Sequence, residues 1–172
     1  MPQLDEFASS EIIRLPAGIL ELIEQAPLPD LGDSPQDTAV AARIDSLAAP
    51  DFGELSARAR ALCESGLWLL AGDLDRSHTI SQSIDTAEGS FWHGIMHRRE
   101  GDFGNAKYWF RRVGQHSVFD TLAVHSDGVY DDPFQFVDRC SRAVNGKSNA
   151  REDCKRAQWL EWQALMLHCL RL

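Results

Sequence analysis

The sequence predicts an all-α fold: a single domain of about seven or eight helices arranged as antiparallel hairpins. Three observations carry this. Apolar residues recur with the 3.6-residue period of a helix through most of the chain. Helix start and stop signals separate those segments. No run alternates with period two over a useful length, so no sheet is expected. The 172 residues fit one domain that can bury a core without disulfides or a structural metal. At 44% hydrophobic and 25% charged residues, the composition is globular.

Residues 1–15 are expected to be peripheral. Pro16 suits a first helical turn and opens a short helix to Gln25. The stretch from Ala26 to Thr38 carries Pro27, Pro29 and Pro35 and reads as a loop. A second short helix over 39–48 stops before Pro50. A long helix is expected over 52–71, with Leu55, Ala59, Leu62, Cys63, Gly66, Leu69 and Leu70 on one face. Gly66 lies inside that face, where it permits close helix packing. Gly72-Asp73 ends this helix and caps the next, over 74–84. Residues 85–90 read as a turn, 91–100 as a helix. Gly101-Asp102 repeats the punctuation before a helix over 103–113. After a loop at 125–133, helices are expected over 134–145 and from Asn149 to the end. Asn149 and Glu152 have capping-box spacing there. The second half of the last helix, WLEWQALMLHCL, is apolar around most of its circumference. Such a helix is central, or packs against a second copy in a homodimer.

The charge balance, −9 overall, disfavours nucleic acid and anionic membranes. No stretch approaches the ~18 apolar residues of a membrane span, and the N-terminal residues lack a secretory pattern. A cytoplasmic location follows by default. Cys63, Cys140, Cys154 and Cys169 show no CxxC or zinc-finger spacing and read as buried structural thiols.

The unusual chemistry lies in HTISQSIDTAEGSFWHGIMHRREGDFGNAKYWFRRVGQH, residues 78–116. The block is similar to one in a family of uncharacterised bacterial and fungal proteins, a resemblance that implies no particular activity. Within it, EGDFGNAKYWFRRVG resembles the second helix of a Sel1-type or tetratricopeptide repeat, where Ala106 and Trp109 would face the neighbouring helix. LWLLAGDLDRSHTISQ aligns weakly with MHRREGDFGNAKYWFR, GlyAsp on GlyAsp.

At about 100° per residue, His93, His97 and Glu100 share one arc of the 91–100 helix, beside an apolar arc of Phe91, Trp92, Ile95 and Met96. Arg99 falls near the middle of the apolar arc, so it either snorkels or needs a buried carboxylate. His78 and Gln82 are one turn apart on the preceding helix. Phe103, Ala106, Trp109, Phe110 and Val113 form an apolar stripe opposite Lys107 and Arg111.

Two readings stay open. The favoured one is a binding or scaffold domain that takes a small anionic ligand or a partner protein. Its candidate residues are His78, Gln82, His93, His97, Arg99, Glu100, Asn105, Tyr108, Arg111 and His116. The alternative is a small metal-assisted enzyme of hydrolase type, with a divalent ion on His93, His97 and Glu100. His93, His97 and Glu100 are expected to share a cavity with Arg99 or with residues of neighbouring hairpins. No nucleophile elbow or glycine-rich phosphate loop is present.

Overall fold

The computed structural model describes residues 16–146 and 148–172; the 1–15 segment lies outside them. The described residues form nine α-helices and no strand. They are α1 (Ala17–Gln25), α2 (Thr38–Ser46), α3 (Ala57–Ala71), α4 (Leu74–Ser81), α5 (Ala87–Glu100), α6 (Phe103–Val113), α7 (Ser117–His125), α8 (Pro133–Ala143) and α9 (Asn149–Cys169). Among the described residues no helix is long and apolar enough to cross a membrane.

Short polar side chains set most helix starts. Asp37, Ser56, Asp73, Thr86, Asp102 and Asp132 each accept a hydrogen bond from a backbone N–H of the first turn that follows. Each satisfies a donor that the helix itself leaves without a partner. The two GlyAsp turns are built alike. Gly72 and Gly101 adopt left-handed φ of 79° and 91°, and the following Asp donates its N–H back to the carbonyl of Trp68 or His97. The aspartate then caps the next helix. One dipeptide therefore closes each of the α3–α4 and α5–α6 hairpins.

Four local differences from the sequence expectation have physical causes. The long helix begins at Ala57, because Ala49–Phe52 form a 3-10 turn and Gly53 follows with φ 64°. Residues 87–90 are helical, because Gly89 serves packing: a Cβ there would meet the Ile84 carbonyl oxygen at 2.2 Å. A further helix, α7, forms after His116, whose ring Nδ1 accepts the Val118 N–H. Asn149 is the first residue inside α9 rather than its cap, and no capping box forms with Glu152.

Two helices lie deepest. In α5, all of Gly89 to Arg99 is buried, and in α9, all of Ala157 to Leu167. Helix α5 packs against α3, α4, α6 and α8, and α9 against α3, α7 and α8. The apolar faces of α9 are therefore covered within one chain, the central placement. Gly66 lets α3, α5 and α9 meet. A Cβ on it would lie 2.7 Å from Trp92 Cζ2 and 2.8 Å from Met166 Cε. Trp162 of α9 donates its indole N–H to the Gly66 carbonyl at 2.7 Å. All four cysteines are free and buried.

Candidate functional site

The hairpin geometry places three histidines together. His78 comes from α4, and His93 and His97 from successive turns of α5. Their ring centroids lie 4.7 Å (78 to 93), 5.5 Å (78 to 97) and 4.7 Å (93 to 97) apart. One ring nitrogen from each falls within 4.8 Å of the other two. Trp109 of α6 closes one side by stacking on His93, centroid to centroid 3.9 Å at an interplanar angle of 16°. Arg112 in turn covers Trp109. Trp109 is only half-buried, so it leaves the apolar stripe of α6 to support the imidazoles.

Each imidazole has a distinct environment. His97 Nδ1 donates to Glu100 Oε1 at 2.5 Å, which orients the ring and, in the neutral imidazole, places the proton on Nδ1. His93 is 2% exposed, and its Nδ1 has no hydrogen-bond partner. Burial, reinforced by the neighbouring His97 and His78, holds the His93 imidazole down to about 3, so it is neutral at physiological pH. His78 is half-buried and leads to the surface.

The other expected residues divide. Gln82, Asn105, Tyr108 and Arg111 are exposed. Asn105 is held by Asp102, the cap of α6. Arg99 does not join the histidines; two residues beyond His97, it sits on the opposite side of α5 and donates to the Leu69 carbonyl of α3. Arg98, the residue before Arg99, is fully buried. It forms two hydrogen bonds with Glu161 of α9 and a third, of 3.2 Å, to Gln158 Oε1. Tyr130 donates its hydroxyl to Glu161 Oε1 at 2.9 Å, completing an interior network.

His116 enters a second cluster, with Glu88 and His168, that sequence spacing did not suggest. His168 Nε2 lies 3.3 Å and His116 Nε2 3.6 Å from Glu88 Oε1. Because His116 Nδ1 accepts the Val118 N–H, its proton sits on Nε2, towards the carboxylate. A metal at that nitrogen would have to displace this proton and cost the cap of α7.

The geometry stands without relatives to explain it. No protein-family model matches the chain, and no curated protein or solved structure is significantly similar to it.

Proposed function

We propose that this protein holds one divalent transition-metal ion through His78, His93 and His97, and that the ion serves hydrolytic chemistry. The observation that carries the reading is the buried, neutral, unpartnered Nδ1 of His93 beside two further imidazoles. A buried polar nitrogen without a partner is costly, and a metal is a natural one for neutral imidazole. In this reading Glu100 acts as the outer carboxylate that orients His97.

Tetrahedral zinc with Zn–N near 2.0–2.1 Å separates its nitrogens by about 3.3 Å. The three ring nitrogens lie within 4.8 Å of one another, so the rings would draw closer on binding an ion. Three protein ligands leave a fourth position open, the arrangement of catalytic rather than structural zinc. A divalent ion so held supplies Lewis acidity and activates water for attack on a carbonyl or phosphoryl centre. His78 and Trp109, both half-buried, are the members of the cluster nearest to solvent.

Cobalt(II) titration tests the reading. One equivalent should give visible absorption bands, and azide should shift them by taking the open position. His93→Ala and His97→Ala should each abolish the bands. Failure of both cobalt and zinc to bind overturns the proposal. Binding that ignores azide overturns the hydrolytic part, because the site would then be closed.

A further inference from the structure

The opposite face of α5 presents a different problem. Arg99 is 3% exposed, yet only its Nη1 is engaged, by the Leu69 carbonyl. Its Nε and Nη2 have no hydrogen-bond partner. These two N–H groups lie along one edge of the guanidinium and point the same way, the fork that takes both oxygens of a carboxylate or phosphate. Among the described residues no carboxylate lies within ion-pair distance of it. A buried cation so placed calls for a counter-charge.

Arg99 lines a cavity of about 200 Å³ beneath the proline-containing loop that joins α1 to α2. Lys155 of α9 lines the same cavity, so two cationic residues border it from separate helices. Its two acidic neighbours are already committed. Asp30 accepts the Leu31 N–H and pairs with Arg151 at 2.5 Å, and Asp37 caps α2 through the Ala39 and Val40 N–H groups. Ser34 adds a hydroxyl to the lining. The volume is below the ~300–1,000 Å³ of drug-sized ligand sites, so the occupant is small.

We infer that Arg99 and Lys155 form a binding site for a small oxyanion, a carboxylate or a phosphate group, covered by the 26–37 loop. Asp33 is exposed and is the one nearby acid without a role of this kind, so it is the internal competitor for Arg99. The inference is independent of the metal: it concerns other residues, on the other side of α5.

The test uses inorganic phosphate and acetate as separate probes, in buffer free of other oxyanions, with sodium chloride matching ionic strength. Thermal unfolding and calorimetry should give a saturable response to at least one probe. Phosphate alone marks a phosphoryl ligand and acetate alone a carboxylate. Lys155→Ala should weaken binding about 10-fold, the loss of one charge-assisted contact. Arg99→Met should abolish it, and if that variant does not fold, Asp33→Asn decides. Unchanged or tighter binding in Asp33→Asn supports the site. A Tm lowered in Asp33→Asn, with neither probe bound, overturns it, because Asp33 is then the counter-charge. A response that sodium chloride reproduces, or one that Lys155→Ala leaves unchanged, overturns it as well.

Discussion

Replacing Glu161 by alanine strands a buried charge. Arg98 and Glu161 both have fully buried side chains, and the carboxylate accepts two bonds from Arg98 and one from Tyr130. After Glu161→Ala, Arg98 keeps the 3.2 Å bond to Gln158 and its stacking over Phe136 and Phe110, 4.6 and 5.9 Å from the ring centres. Removing one partner of a buried pair typically costs about 3–5 kcal/mol. The orphaned Tyr130 hydroxyl adds about 1 kcal/mol. A loss of about 4–6 kcal/mol is comparable with the whole stability of many domains, so the variant should be largely unfolded or sharply lowered in Tm. Urea unfolding followed by tryptophan fluorescence reads this well, since Trp92 and Trp162 lie in the same core. The double variant Arg98→Met, Glu161→Leu should recover most of the loss, because it removes the charge together with its desolvation. A single variant that loses under about 1 kcal/mol would refute the reasoning, and so would a double variant as unstable as the single one.

Gly66→Ala gains about 1 kcal/mol of helix propensity but drives a methyl into the Trp92 ring and Met166, an overpacking cost of about 1–3 kcal/mol or more. Chemical denaturation should therefore show net destabilisation, and a more stable variant would contradict the packing described. Acid should weaken the fold through His116, whose imidazole is lowered by burial and by His168. With a folded value below the ordinary 6.5, its contribution is full above that pH and is lost as pH falls below it. Asn caps without titrating, so melting of His116→Asn between pH 8 and 5 should show a shallower loss than the parent. Glu100→Ala should weaken cobalt binding about 10–100-fold by freeing the His97 ring, while Glu100→Gln, which still accepts a hydrogen bond, should do less. Cys63, Cys140 and Cys169, whose thiols burial pushes up, should resist a thiol reagent until the protein unfolds.

The helical class and most boundaries were legible because they rest on local chemistry: Asp and Ser caps, GlyAsp turns and 3.6-residue spacing. What failed locally had non-local causes. Gly89 looks like a turn residue, but it is small to fit against Ile84. Histidine is a rare helix cap, so the start of α7 carried no familiar signal. The pairing of His93, His97 and Glu100 on one arc was readable from helical angles alone. That His78 would join them depended on how the α4–α5 connection folds back. Arg98 reads as surface until Glu161, 63 residues later, is placed beside it. His168 was invisible as a partner of Glu88 for the same reason, a separation of 80 residues.

The depth of α9 bears on how the chain is made. Helices α3 to α6 contact their sequence neighbours, so the histidine cluster draws only on residues 78–100 and the nearby Trp109. Contacts of that range close quickly. Yet Gly66 waits for Trp162, and Arg98 waits for Glu161. During synthesis, which proceeds from the N-terminal end, the hairpins emerge with their long groove unfilled. A ribosome stalled before residue 158 would hold a nascent chain with its imidazoles near their final places and a naked guanidinium inside. Until α9 arrives, the apolar surface it covers on α3, α7 and α8 would stay open to solvent.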